Sequence, residues 1–209
     1  MQIAFIGYGD LGIQVGAFLK QQYASFDAVY FDDVLFASKK TNAYPFNDFE
    51  NPMFKDCGFV ICLGYKHAAL KNIISKKLIE LGYKHLSFIH PSCFVNETAK
   101  LGVGVICYPM CNIDRKAEIG NGVLLNNSVV VSHNCVIGDA CYLSPGVVVS
   151  GNVQIGENSF LGSGSLVAND IVIGKNVVIG IGTVVTQNLP DNSFVIGNPM
   201  KFVEKINVI

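Results

Sequence analysis

The sequence predicts a chain of two domains, an α/β domain over residues 1–89 and an all-β parallel β-helix over residues 90–209. Three observations predict this division. From Val95 to Val185 every sixth position holds Val, Leu or Ile, except for Cys107. Before His90, short apolar segments alternate with segments of helical apolar spacing. A glycine-rich turn joins the first predicted strand to the first predicted helix, from Gly7 to Gly12.

The overall composition excludes several classes of function. Half of the 209 residues are apolar and 15% are charged. The net charge is −1 and the sequence has no Lys/Arg cluster, so nucleic acid is not expected as a partner. No segment has the ~18 uninterrupted apolar residues of a membrane span, and no secretory signal pattern begins the chain. The seven cysteines lack the CxxC spacing of metal sites. We therefore expect a cytoplasmic protein with reduced, structural cysteines, no membrane insertion and no metal.

Strands and helices alternate in the first domain, which indicates a parallel sheet with crossover helices. The section over residues 37–54 is polar and contains two prolines, so it predicts a loop or a weak helix. The predicted strands cover residues 3–6, 28–31, 59–63 and 86–89, and the predicted helices cover residues 11–23 and 68–81.

The second domain is built from six-residue units. A period of six is typical of a parallel β-helix in which each unit supplies one short strand and one turn. Three units then close one coil, so residues 18 apart stack on one another. Residues 194–209 are expected to cap the far end. The first positions of the sixteen units are Val95, Leu101, Cys107, Ile113, Ile119, Leu125, Val131, Ile137, Leu143, Val149, Ile155, Leu161, Val167, Ile173, Ile179 and Val185.

The glycine turn predicts a nucleotide ligand. It reads GxGxxG directly after a strand and opens a helix, where glycines let backbone N–H groups approach a phosphate. Asp32 and Asp33 end the second strand, where an acidic side chain accepts hydrogen bonds from a ribose or a base. The alternative is a tight turn without a ligand. A nicotinamide dehydrogenase is disfavoured because about ninety residues cannot hold six strands and a substrate domain.

His133 is the only histidine within the repeats, and its position in the unit predicts a turn at a corner of the coil. A histidine there can act as a general base if a partner fixes its tautomer. The alternative is an ordinary surface histidine. The 18-residue offset stacks His133 between Arg115 and Gly151, and we expect Gly151 to offer a bare backbone N–H to a developing oxyanion.

Taken together, these residues resemble the hexapeptide acyltransferases, and most closely the sugar-nucleotide N-acetyltransferases of the bacillosamine (NeuD/PglD-like) family. The resemblance covers essentially the whole chain. It rests on the glycine loop with its Asp-Asp pair, on His90-Pro91-Ser92, on residues 125–139 around His133, and on Gly197-Asn198-Pro199-Met200-Lys201.

The resemblance implies a Rossmann-like domain followed by a left-handed β-helix, and a homotrimer with acetyl-coenzyme A between neighbouring helices. It implies N-acetylation of a UDP- or dTDP-linked amino-dideoxy sugar, of the 4-amino-4,6-dideoxy type, made for surface glycans. His133 matches the catalytic base, with Asn134 beside it, and Gly151 matches the glycine that polarises the thioester. The other matching positions are Gly7, Gly9, Asp32, Asp33, Gly64, Asn126 and Tyr142 for the substrate, and Gly151, Ser163, Gly180 and Lys201 for the coenzyme.

Two departures from the family pattern bear on the chemistry. Asn134 stands where many members have an acidic residue, and Tyr142 stands where some have a histidine. An amide orients an imidazole but does not stabilise imidazolium as a carboxylate does. The alternatives are an O-acetyltransferase of the sialic-acid type and a non-catalytic nucleotide-binding scaffold. A metal-dependent lyase on this solenoid is rejected, because it needs three histidine ligands and the repeats contain one.

Overall fold

The computed structural model describes residues 1–204. The chain forms two compact units, Met1–Phe88 and Ile89–Ile209. Of the predicted C-terminal cap, residues 205–209 lie outside the described residues.

The first unit is a five-stranded parallel sheet with the strand order β3-β2-β1-β4-β5. Three α-helices, α1 (Asp10–Gln22), α2 (Asp33–Ala37) and α3 (Ala68–Glu80), and three 3-10 turns connect the strands. Residues Ile3 to Ile6 of the central strand are all buried, as expected for a parallel sheet covered on both faces. The strands are β1 (Gln2–Ile6), β2 (Asp27–Phe31), β3 (Ala43–Tyr44), β4 (Gly58–Ile61) and β5 (Lys84–His85).

Two parts of the first unit differ from the sequence prediction. The section over residues 37–54, predicted as a loop or a weak helix, contains β3 and two 3-10 turns, Phe46–Glu50 and Pro52–Phe54, and α2 ends at its first residue. These elements are too short to show a periodic pattern. The strand predicted at residues 86–89 is only partly found: the strand that pairs with β4 is Lys84–His85, and Phe88–Ile89 forms a strand of the eight-stranded face of the second unit.

The second unit is a parallel β-helix with three faces, each a sheet of very short strands. Successive rungs pair with an offset of 18 residues, as in Val130 with Val148. The eight-stranded face contains β6 (Phe88–Ile89), β9 (Ile106–Cys107), β12 (Leu124–Leu125), β15 (Tyr142–Leu143), β18 (Phe160–Leu161), β21 (Val178–Ile179), β23 (Phe194–Ile196) and β24 (Lys201–Phe202). The six-stranded face contains β7 (Phe94–Val95), β10 (Asn112–Ile113), β13 (Val130–Val131), β16 (Val148–Val149), β19 (Leu166–Val167) and β22 (Val184–Val185). The five-stranded face contains β8 (Lys100–Leu101), β11 (Glu118–Ile119), β14 (Val136–Ile137), β17 (Gln154–Ile155) and β20 (Val172–Ile173).

The aliphatic series read from the sequence fills the interior of this solenoid. From Cys107 to Val185 every member of the series is buried. Small residues four positions later share the interior, including Ser159 and Ser165, which are fully buried. Because the interior is filled by side chains, any chemistry in this unit belongs to the corners and the outer faces.

The corners are made by residues with positive φ. Non-glycine examples at the corner that links the six-stranded to the five-stranded face are Asn134, Asn152 and Asp170, with φ values of 58°, 60° and 62°. Asn and Asp tolerate this left-handed conformation better than other non-glycine residues. We call this edge, formed by residues 132–135, 150–153 and 168–171, the His133 corner.

All seven cysteines are free thiols, and six of them are buried. Burial raises the pKa of Cys62 to about 12 and also raises the pKa of Cys107. A hydrogen bond with Cys111 lowers the pKa of the half-buried Cys93. Most thiols of this chain therefore stay protonated and serve as small apolar groups.

Candidate active site

The His133 imidazole lies directly on the backbone of Gly151 in the next rung. His133 occupies the turn between β13 and β14, and Gly151 occupies the equivalent turn 18 residues later. An added Cβ on Gly151 would lie 2.5 Å from His133 Cε1 and 2.7 Å from Nε2. No side chain fits there, so a glycine is required for the ring to take this position.

A ladder of side-chain amides continues from His133 along the corner. Asn134 Nδ2 lies 3.1 Å from His133 Nδ1 and donates to Asn152 Oδ1 at 3.0 Å. Asn152 Nδ2 in turn donates to Asp170 Oδ1 at 2.9 Å. The sequence identified Asn134 as a group that orients the imidazole, and it contacts the ring as expected for that role. Asn152 and Asp170 were missed, although their 18-residue spacing from Asn134 is legible in the sequence.

One expectation about Gly151 is wrong. Its backbone N–H is not bare, because it donates to Asn169 Oδ1 at 2.9 Å. The same kind of hydrogen bond recurs where the Lys175 N–H donates to Asp191 Oδ1 at 2.8 Å. It is therefore a structural feature of stacked turns in this solenoid. Asn169 would have to release the Gly151 N–H before that group could stabilise an oxyanion.

Two other predicted site residues meet at a different corner. Asn126 Nδ2 donates to the Tyr142 hydroxyl at 3.2 Å, and Asn126 Oδ1 accepts from the Asn127 N–H at 2.8 Å. Asn126 lies in the turn that links β12 on the eight-stranded face to β13 on the six-stranded face. The six-stranded face therefore separates this pair from His133 within one chain. We call Asn126 and Tyr142 the Asn126 pair.

Of the residues predicted to line the coenzyme, Ser163 and Gly180 lie on the same edge as Asn126, whereas Gly151 lies at the His133 corner. Ser163 and Gly180 occupy successive turns between the eight-stranded and six-stranded faces. The adjacent Gly164 and Gly182 have open space around them, and the side chain of Ile181 is 79% exposed. Lys201 is exposed in β24. This edge offers an open, partly apolar surface with one ammonium group at its end.

The predicted nucleotide residues of the first unit gather at the carboxyl edge of its sheet. Gly7 follows β1, Asp32 and Asp33 follow β2, and Gly64 follows β4. Ligands of open α/β sheets bind at this edge, where the strand order reverses. Gly9 caps α1 and has open space at its Cα, which leaves the first N–H groups of the helix approachable.

Asp32 already serves the fold at this edge. Its Oδ2 accepts from the Tyr8 N–H at 2.9 Å, and its Oδ1 accepts from the N–H groups of Val34 and Leu35 at 3.0 Å. The carboxylate thus holds the glycine turn against the start of α2. Asp33 Oδ1 accepts from the Phe46 N–H at 2.9 Å.

Three ionisable residues near this edge were not singled out from the sequence. Asp10 stands in the first turn of α1, where its charge opposes that of a phosphate. Lys66 and His67 follow Gly64 in the exposed 3-10 turn Tyr65–His67. Their signal in the sequence was a Lys-His pair that begins two residues after Gly64, close to the end of a predicted strand. Within residues 1–204, no helix has both the length and the apolar character to cross a membrane.

Comparison with known proteins identifies the repeats and the whole fold. The bacterial transferase hexapeptide family (six repeats) matches residues 116–151 and 152–187. No curated protein matches the chain.

Several solved structures match nearly the whole chain. The acetyltransferase domain of PglB from Neisseria gonorrhoeae, in complex with acetyl coenzyme A, is 25% identical, with a TM-score of 0.85 over 97% of this chain and 98% of that one. A mutant of perosamine N-acetyltransferase from Caulobacter crescentus, in complex with CoA and GDP-perosamine, is 27% identical, with a TM-score of 0.86 over 98% of both chains. PerB from Caulobacter crescentus, also with CoA and GDP-perosamine, is 29% identical, with a TM-score of 0.85 over 98% of both chains. The predicted resemblance is confirmed, and so is the predicted fold, a left-handed β-helix after an α/β domain.

Proposed function

Because the hexapeptide family matches residues 116–151 and 152–187, and N-acetyltransferase structures match nearly the whole chain, we propose that this protein transfers the acetyl group of acetyl-coenzyme A to the amino group of a nucleotide-linked amino sugar. The acyltransferase class is the one that the sequence predicted, and the acyl donor follows from relatives crystallised with acetyl coenzyme A or CoA. The finer substrate that we propose is an amino-dideoxy sugar of the 4-amino-4,6-dideoxy type, made for surface glycans. The observation that carries the proposal is the His133 imidazole seated on Gly151 and held at Nδ1 by Asn134.

In the proposed reaction, the sugar amine attacks the carbonyl carbon of the thioester. A nitrogen–carbon bond forms, the carbon–sulfur bond breaks, and CoA leaves. His133 takes the proton that the attacking nitrogen loses, and the departing sulfur gains one, so protons balance over the turnover. Gly151 supports this role by leaving room for the ring. The predicted use of its N–H on the carbonyl oxygen requires Asn169 to turn away first.

The nucleotide end of the substrate is proposed to bind at the carboxyl edge of the first unit. The first N–H groups of α1, approachable beside Gly9, suit a phosphate, and Lys66 adds a positive charge at the same edge. Asp33 is exposed and acidic, which suits a ribose hydroxyl or a base N–H.

The function is tested by offering the protein acetyl-coenzyme A with UDP-, dTDP- and GDP-linked amino sugars, while free thiol release and product mass are followed. We expect one acetyl group on the nitrogen of a 4-amino sugar. A product acetylated only on oxygen would instead identify a sugar O-acetyltransferase. If nucleotide binds but no thiol is released with any substrate, the protein is not this enzyme.

The role of His133 has its own test. Without its acid–base group the transfer loses about 10²–10⁴ in rate, so His133→Ala should lower kcat by that factor. The affinity for acetyl-coenzyme A should stay within about twofold, because binding does not require the proton acceptor. Wild-type turnover in this variant would remove His133 from the mechanism.

We further propose that the active site is shared between copies in a homotrimer. The His133 corner and the Asn126 pair lie on opposite edges of the six-stranded face. Four extended residues at ~3.3 Å each make that face about 13 Å wide, too wide for one amine to touch both edges. A cyclic arrangement brings the His133 corner of one copy beside the Asn126 pair of the next.

Complementation tests this shared site. His133→Ala and the double variant Asn126→Ala/Tyr142→Phe should each have low kcat when made alone. Random co-assembly of the two variants leaves His133 intact at half of the interfaces and the Asn126 pair intact at half of them. Both are intact together at about a quarter of the interfaces, so about a quarter of the wild-type rate should return. If mixed assemblies gain no activity, or if the protein is monomeric by light scattering, the shared site is refuted.

A further inference from the structure

In the amide ladder at the His133 corner, each asparagine donates a hydrogen bond to the residue one rung later. Asp170, at the end of the ladder, sets this direction. An ionised carboxylate only accepts hydrogen bonds, so Asn152 must turn its amide nitrogen toward Asp170, as it does at 2.9 Å. The carbonyl oxygen of Asn152 then faces the preceding rung. Asn134 must present its own amide nitrogen to that oxygen, as it does at 3.0 Å.

This direction determines the hydrogen on the imidazole. The second hydrogen of Asn134 Nδ2 points to His133 Nδ1 over 3.1 Å. Nδ1 must therefore act as an acceptor, and a neutral imidazole with a bare Nδ1 carries its hydrogen on Nε2. An acidic residue in place of Asn134 would do the opposite, because it would accept a hydrogen from Nδ1 and leave Nε2 bare.

The backbone keeps the ladder in register. The Asn152 N–H donates to the His133 carbonyl and the Asp170 N–H donates to the Gly151 carbonyl, both at 3.0 Å. Reversing the ladder would turn the oxygen of Asn152 toward the Asp170 carboxylate, where two acceptors would meet with no hydrogen between them. The ladder can therefore reverse only if Asp170 turns away or gains a proton.

We propose that Asp170 is a positioning residue that sets the tautomer of His133 through two side-chain amides. The resting ring holds its hydrogen on Nε2, the nitrogen nearer to where a side chain on Gly151 would be. Its catalytic consequence rests on the proposed function: to take a proton at Nε2, His133 must first pass to the other tautomer, against the direction that Asp170 imposes. Asp170 thus disfavours the tautomer in which His133 could take a proton at Nε2.

The chain contains a second ladder that serves as a control. At the corner between the five-stranded and eight-stranded faces, Asn158 Nδ2 donates to Asn176 Oδ1 at 3.3 Å, and Asn176 Nδ2 donates to Asn192 Oδ1 at 3.2 Å. Asn176 has a φ of 55°, close to the 60° of Asn152. Asn152→Gly and Asn176→Gly therefore remove equivalent amides from equivalent backbone, but only the first ladder ends on a histidine.

The experiment reads the tautomer directly. The protein is made with ring-¹⁵N histidine, and the His133 signals are assigned by their loss in His133→Ala. Nitrogen shifts are recorded where the ring is neutral. We expect a hydrogen on Nε2 alone in the wild type, a mixture of tautomers in Asp170→Asn and Asn152→Gly, and the wild-type pattern in Asn176→Gly. Asn134→Asp should move the hydrogen to Nδ1.

The outcomes separate this inference from the proposed function. A bare Nε2 in the wild type, or an unchanged tautomer in Asp170→Asn, would overturn the positioning role of Asp170. If the tautomer shifts as stated, kcat of Asp170→Asn should rise about fivefold, the weight of one net hydrogen bond, with an unchanged KM for acetyl-coenzyme A. A shifted tautomer with an unchanged kcat would uphold Asp170 as the positioning residue and refute His133 as the base.

Discussion

Replacing Gly151 with alanine should displace the His133 ring, and the geometry sets the size of the effect. The new Cβ would lie 2.5 Å from Cε1, whereas carbon atoms in ordinary contact lie ~3.5 Å apart, so the ring must move by about 1 Å. A misplacement of this size costs about 100-fold in rate. We therefore expect kcat of Gly151→Ala to fall about 100-fold. Because His133 is partly exposed, its ring can swing toward solvent, and the thermal midpoint should change little.

The assay is a double-mutant cycle with thiol release as the readout. In a His133→Ala background the added methyl group meets no ring, so Gly151→Ala should have no further effect on kcat. Binding of acetyl-coenzyme A to each variant is measured in parallel, to separate turnover from affinity. If Gly151→Ala alone keeps kcat within about threefold of the wild type, or slows the His133→Ala background equally, the steric argument fails.

Charge and burial in the first unit allow two further predictions. Burial lowers the pKa of His85 to about 4 from 6.5, so the neutral ring stabilises the fold above pH 6.5 and that contribution is lost as the pH falls toward 4. Between pH 7 and pH 4.5 the loss amounts to about 2.5 kcal/mol. Urea unfolding at these two pH values should show it in the wild type but not in His85→Gln, and an equal pH dependence in both proteins would refute it. Asp10→Asn should tighten binding of a nucleoside diphosphate about twofold and Lys66→Ala should weaken it about as much, as measured by calorimetry at low salt. If both changes shift the Kd in the same direction, phosphate does not bind at this edge.

The sequence predicted the architecture because its dominant signals are periodic. A period of six with turns at constant spacing specifies the solenoid, and its 18-residue multiple predicts that His133 stacks on Gly151. The glycine turn, Asp33 and Gly64 were likewise brought to one sheet edge by the strand–helix order alone. These features depend on backbone register, which a sequence pattern encodes directly.

What the sequence missed depends on how single side chains turn. Gly151 was expected to offer a bare N–H, but the Asn169 side chain one rung later reaches back to it. The prediction that Asp32 binds the nucleotide did not include the hydrogen bonds that its oxygens accept from the chain's own N–H groups. The five-residue helix α2 begins from that same cap and is too short for a periodic signal. These hydrogen bonds depend on side-chain rotamers and on which donors and acceptors nearby compete for the same partner. The spacing of residues in the sequence does not specify either.

The amide ladder and the backbone of the His133 corner have one physical origin. Most corners of the solenoid hold a residue with positive φ, and asparagine tolerates that conformation while offering both a donor and an acceptor. Stacking at one rung spacing then brings successive amides within hydrogen-bond distance, so an asparagine ladder forms wherever asparagines recur every 18 residues. The second ladder, formed by Asn158, Asn176 and Asn192, shows that such a stack forms without a histidine. The His133 corner differs in its two ends, an imidazole at one and a carboxylate at the other. A ladder of amides alone could point either way, and the Asp170 charge is what gives this one a direction.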